Sequence, residues 1–161
     1  MKILEYDRAK AVEYAYVWAK KRNPAYYNFD GIGGDCTNFV SQCLYAGSKI
    51  QNYEKVFGWY YNSLSDRAPA WTGVEFLYSY LLKRNRIGPF ATATDKNSIK
   101  IGDVIQLGHL SGDFFHTAIV TGFNNNEILV SSHTRDLYNA PLSVFNYSLI
   151  RFLHIEGVYV Q

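Results

Sequence analysis

Apolar residues fall at helical spacing in the first half of the chain and on short runs with a period of two in the second. Val12, Ala15, Tyr16 and Ala19 form one stripe, and with Asp7 as a cap and Asn23-Pro24 as a stop they predict a first helix from Asp7 to Arg22. Phe39, Val40, Cys43 and Leu44 form a second stripe, with Cys36 on the same face. This predicts a helix from Cys36 to Ala46, capped by Asp35 and ended by Gly47. Thr72-Gly73-Val74-Glu75 reads as a capping box opening a third helix to about Lys83, with Phe76, Leu77, Tyr80 and Leu81 facing inward. Gly88-Pro89 ends that region. Between the second and third helices, residues 47–70 carry Tyr53, Phe57, Trp59, Tyr60 and Tyr61 with little periodicity, the pattern of a long ordered loop.

From residue 100 the period changes. Residues 103–107, 115–122, 127–133, 142–145 and 149–155 read as short strands separated by turn residues. Helices followed by a run of strands predict an α+β domain with an antiparallel sheet. No internal repeat interrupts this order, and 161 residues suit a single domain over residues 1–161.

Composition changes the picture little. Hydrophobic residues make up 48% and charged residues 19%, with 14 Tyr, 10 Phe and 3 Trp, which is globular rather than disordered. The net charge is +2. Its short basic runs, Lys20-Lys21-Arg22 and Lys83-Arg84-Asn85-Arg86, sit at predicted helix ends, where cations suit the dipole. Without a basic stripe, nucleic acid is not expected as a partner. No apolar run is long enough to span a membrane, and MKILEYDRAK lacks the apolar core of a signal peptide. The sequence leaves localisation open: cytoplasmic for a free-standing chain, extracellular or in the cell wall for a domain excised from a longer one with other domains as partners.

Candidate chemistry begins at GGDCTNFVSQC, residues 33–43. On one helix Cys36 and Cys43 lie about 10.5 Å apart along the axis, at about 1.5 Å per residue. That separation exceeds the reach of a disulfide or of one zinc ion shared by the two thiols. A mixed metal site using Cys36 and two histidines stays open, as does plain burial of Cys36. Cys43, mid-helix, reads as core. Cys36 differs because a helix N-terminus carries unpaired N–H groups and partial positive charge, which favour a thiolate and can hold an oxyanion.

A nucleophilic thiol needs a base and a group that orients it. His109 lies in a polar loop and His154 in the last strand, where solvation and packing account for them. His116 and His133 lie in consecutive predicted strands. A two-residue turn at Asn124-Asn125 would set them directly opposite each other, with Cβ atoms about 4.5 to 5.5 Å apart.

The order of a helix-opening cysteine and a strand-borne histidine is that of papain-like thiol hydrolases. GGDCTNFVSQCL resembles the nucleophile motif of the CHAP and NlpC families of bacterial cell-wall amidases and endopeptidases, and IGDVIQL with FHTAIVTGF resembles their strand pair. More closely, YDRAKAVEYAYVWAKKRNPAYYNFD, GGDCTNFVSQCLYAG, GWYYN, WTGVEFLY and SSHTRD resemble a bacterial family of putative amidase domains. The resemblance implies a papain-like fold of the NlpC/CHAP type, with N-terminal helices packed on a C-terminal antiparallel sheet. It also implies Cys36 as nucleophile, His116 as base and His133 as orienting residue, with Asp136 as the alternative. Tyr26 and Tyr27 fall where such domains place a tyrosine that helps the oxyanion hole, with Tyr27 the favoured candidate and packing the alternative for both. Trp59, Tyr60 and Trp71 are candidates for a cleft wall or for core packing. The implied substrate is peptidoglycan or a peptide, cleaved through a thioester without metal or organic cofactor. The alternatives are a wall-binding module of the same fold without turnover, and an acyltransferase that uses the same thioester.

Overall fold

The computed structural model describes residues 1–161. Four helices, α1 (Arg8–Trp18), α2 (Cys36–Ser48), α3 (Pro69–Thr72) and α4 (Val74–Leu82), accompany nine strands. The strands are β1 (Lys2–Leu4), β2 (Tyr61–Ser63), β3 (Asp66–Arg67), β4 (Gly88–Thr94), β5 (Val104–Gly108), β6 (Phe114–Asn124), β7 (Glu127–Ser132), β8 (Leu137–Pro141) and β9 (Leu149–Val160). No helix is long and apolar enough to cross a membrane.

The helices lie close to where periodicity puts them. Asp7 caps α1 by accepting from the Lys10 N–H at 3.0 Å. The helix stops at Trp18 rather than Arg22, so Arg22 falls in the following loop. Helix α2 runs to Ser48 and ends on Lys49 in the left-handed region, φ 59. The capping box does not form: Thr72 closes the short α3, its hydroxyl accepts from Arg67 Nε at 3.1 Å, and Gly73 takes the cap of α4. Phe76, expected inside, is exposed.

Seven strands form one antiparallel sheet in the order β1-β9-β5-β6-β7-β8, and β4 pairs with β9 outside that path. Strand β9 is the hub. One edge carries β5 along 149–153 and β1 along 158–160, and the other carries β4. The first strand of the chain therefore closes against the last, and the strand that opens with Gly88-Pro89 joins them. The segment 142–145 is a 3-10 turn, Leu142–Val144, rather than a strand.

This arrangement overturns the expected papain-like, NlpC/CHAP-type domain with N-terminal helices packed on a C-terminal sheet. Strands hold 35% of residues against 25% in helices, and the sheet curls into an antiparallel half-barrel. It draws strands from the start, middle and end of the chain. The physical reason is that β1 has only three residues and β4 opens on the Gly88-Pro89 turn signal, so that their pairing with β9 is set by long-range contacts rather than by local pattern.

Two apolar clusters flank the sheet. In the larger, Phe39, Val40, Cys43 and Leu44 of α2 meet Trp59, Trp71, Leu77, Leu81, Ile119 and Leu153. In the smaller, on the opposite sheet face, Ile105, Leu107, Ala118, Val120, Ile128 and Val130 pack together. Neighbouring residues of β6 thus look to different faces, as strand alternation requires.

Candidate active site

The approach to α2 is built on glycines. Gly31, Gly33 and Gly34 have φ of 81, 82 and 95, values that side chains rarely adopt. This turn delivers Asp35 to the cap and Cys36 to the first helical position. Asp35 makes no capping bond to the helix. Its carboxylate accepts instead from the Phe29 N–H at 2.9 Å, Asn38 Nδ2 at 2.9 Å and His133 Nδ1 at 2.5 Å. Burial alone would raise the Asp35 pKa, but these bonds, led by that from His133, outweigh it and hold the group ionised below its usual range.

Cys36 is 6% exposed. Its sulfur meets the Thr37 hydroxyl at 3.8 Å and faces the backbone N–H of Thr117 on β6. Burial pushes the thiol pKa up, and the N–H and hydroxyl donors around it offset only part of that rise. The helix N-terminus was expected to favour the thiolate. Desolvation outweighs that effect, and the resting group is a thiol.

His116, also 6% exposed, is the residue next to Thr117, so Cys36 and His116 meet β6 at consecutive positions. Strand alternation gives His116 the face of Ala118 and Val120, where its ring lies 4.8 Å from that of Phe145. Its Nε2 is buried without a hydrogen-bond partner. Burial, with a smaller effect from the Arg135 charge, lowers its pKa from 6.5 to about 4, so the ring is neutral. No hydrogen bond joins it to Cys36.

The expected pairing of His116 with His133 does not occur. Asn124 faces Glu127 across a turn at Asn125-Asn126. An extra residue at Thr121 then shifts the register, so that Val120 faces Val130 and Ile119 faces Ser131. Continued, this ladder sets His133 across from Thr117 and on the α2 side. There its Nε2 lies 2.8 Å from the Trp18 carbonyl oxygen, its Nδ1 meets Asp35, and its ring stacks on Phe39 at 4.1 Å. A carbonyl and an ionised carboxylate both only accept, so both ring nitrogens carry hydrogen.

Asp136 does not reach either histidine. It binds Arg22 through two bonds of 3.0 and 2.9 Å, and Asp30 and Asp35 approach the same guanidinium at 2.7 and 3.4 Å. Arg22 therefore belongs to a network rather than to a solvated helix end, a role that its place in a basic run concealed. Tyr27 is 37% exposed and stacks edge-on against Phe29; its backbone N–H donates to Tyr61. Trp59 and Trp71 wall no cleft: both are fully buried, 4.7 Å apart, and donate to Ser41 and Asn38. Tyr60 is buried and donates to Asp66 at 3.2 Å. No three His, Cys, Asp or Glu side chains converge as the ligands of a metal would.

Comparison with known proteins places the chain in a family. A family model described as "Putative amidase domain" matches residues 5–155. The chain is 32% identical over 144 residues to the uncharacterized protein YjcM of Bacillus subtilis, and 34% identical over 136 residues to the uncharacterized protein YhbB of the same organism. Those matches cover 84% and 82% of this chain but only 32% and 42% of the relatives, so the chain spans well under half the length of either. No solved structure matches. The match across nearly the whole chain shows that this protein belongs to the family described as "Putative amidase domain".

Proposed function

We propose that the protein hydrolyses amide bonds with the Cys36 thiol as nucleophile and His116 as proton acceptor, on peptides of the bacterial cell wall. The observation that carries this reading is the unpartnered, buried Nε2 of His116, adjacent in the chain to the N–H that faces the Cys36 sulfur. A buried nitrogen without a partner costs about 1 to 3 kcal/mol, and a neutral imidazole that bears such a cost is available as a base.

With Cys36 a thiol and His116 neutral, the pair works by general-base catalysis rather than from a preformed thiolate-imidazolium pair. His116 takes the thiol proton as sulfur attacks the carbonyl carbon and returns it to the departing amine, which requires its ring to leave Phe145 and come round the β6 backbone to the side that Cys36 occupies. Thr117 and the first turn of α2 offer N–H groups to the developing oxyanion. Water then attacks the thioester, His116 accepts its proton and passes it to the Cys36 sulfur as the C–S bond breaks, and the acid product leaves.

The missing bond between Cys36 and His116 favours one other reading, a wall-binding module without turnover. Mass spectrometry of peptidoglycan fragments after incubation with the wild type, Cys36→Ala and His116→Ala separates the two. Hydrolysis is expected for the wild type and is lost in both variants. Wall binding without fragments from the folded wild type, or fragments that persist in Cys36→Ala, overturns the proposal.

A further inference from the structure

Cys36 is held from both sides. Thr37, the residue after it, meets the Thr117 hydroxyl on β6 at 2.9 Å. Asp35, the residue before it, donates its backbone N–H to the Thr134 hydroxyl at 2.9 Å and accepts from His133 at 2.5 Å. Thr134 and His133 follow directly on β7, so the two neighbours of Cys36 are tied to the two adjacent strands of the sheet.

We propose that His133 and Thr134 are positioning residues that fix Cys36 through Asp35, resting on the reading of Cys36 as nucleophile. The charge pattern supports this role. An Asp at a helix cap ordinarily bonds an N–H of the first turn. Asp35 is drawn away by His133 and makes no capping bond, and the first-turn N–H of Thr37 faces the Cys36 sulfur instead. With both nitrogens donating, His133 has no lone pair with which to accept a proton from Cys36 or a hydrogen bond from His116. Its one charged partner within hydrogen-bond distance is Asp35, and Arg22 joins the same carboxylate at 3.4 Å while balanced by Asp30 and Asp136. Gly34 completes the fit, since a Cβ there would come within 3.3 Å of the Thr134 hydroxyl.

Cys43 supplies an internal control, because it is fully buried on the same helix and two turns away. The test is iodoacetamide alkylation of the folded protein, with both cysteines quantified by peptide mass spectrometry, alongside kcat and KM on peptidoglycan fragments. His133→Gln and Thr134→Val are expected to change the alkylation rate of Cys36 by roughly tenfold while Cys43 stays protected, since small displacements of a reacting group have large kinetic effects. Thr134→Ser keeps the hydroxyl and restores wild-type rates. The loss of activity falls on kcat, with KM within about twofold.

The proposal fails if the folded variants leave the Cys36 rate within about twofold of wild type, or if Cys43 opens in parallel, which marks general loosening. Should His133→Gln not fold, Thr134→Val decides alone, because Thr134 is exposed. A wild type that cleaves no amide refutes the nucleophile reading, while the two alkylation rates still report on the tether.

Discussion

Burial sets the resting state of both His116 and Cys36, against the donors around the Cys36 thiol and together with the Arg135 charge near His116. For His116 the consequence is a pH dependence of stability. Its pKa is 6.5 in the unfolded chain and about 4 in the folded one, so between those values the unfolded state binds more protons. The stability it contributes is complete above pH 6.5 and is lost as pH falls through about 4, by roughly 3 kcal/mol in all. His116→Gln is expected to flatten the dependence of the urea midpoint between pH 6.5 and 5, a window above that in which Asp35 takes up its proton. An unchanged slope would show that the folded ring is accessible to protons. Phe145 covers the ring, so Phe145→Ala is expected to raise the His116 titration toward 6.5, followed by its NMR ring-proton shift. A shift that stays near pH 4 would assign the lowering to the Arg135 charge instead.

Among the elements, the turn into α2 offers the sharpest contrast. Gly33 and Gly34 both need positive φ, but a Cβ on Gly33 meets open space while one on Gly34 presses on Thr134. Gly33→Ala is expected to cost about 1 kcal/mol from backbone strain. Gly34→Ala should cost about 1 kcal/mol more, because it also displaces the hydroxyl that holds Asp35. Equal urea midpoints for the two variants would mean that the Thr134 contact is soft. The helix that opens at Cys36 and the strand that carries His116 were legible in the sequence, because each rests on local chemistry: helical spacing and β-branched residues. The His133 register was not. It turns on one extra residue at Thr121, whose hydroxyl bonds Ser131 and Asn139 from neighbouring strands. A bulge fixed by tertiary hydrogen bonds leaves no local trace, yet it moves every later side chain to the other face. Asp35 misled for a similar reason: its residue type fits a cap, and its partner lies 98 residues away.

At the scale of the molecule, what the sequence concealed is how its ends meet. Helical and strand patterns describe segments, whereas the half-barrel depends on β9 pairing with β1 and β4 across most of the chain. Arg8 secures that closure. From the first turn of α1 its guanidinium donates to Asp103 at 2.6 Å, to the Ile101 carbonyl at 2.9 Å and to the Ile155 carbonyl at 2.5 Å. It so joins the N-terminal helix to the turn before β5 and to β9. Asp103 is fully buried, and its remaining partners are the N–H groups of Lys100 and Ile155 and the ring of His154. Removing one partner of a buried ion pair costs about 3 to 5 kcal/mol. Arg8 is 24% exposed, so water reaches the site and the lower end of that range applies. Arg8→Met, which keeps the apolar stem, is expected to lose about 3 kcal/mol and to lower Tm by roughly 6 to 12 °C for a chain of this size. Asp103→Asn in the Arg8→Met background should recover part of the loss, because it removes the uncompensated charge. If the double variant is no more stable than Arg8→Met, the ends are held by β1 and β4 pairing rather than by the ion pair, and deletion of residues 1–4 would then give the larger fall in Tm.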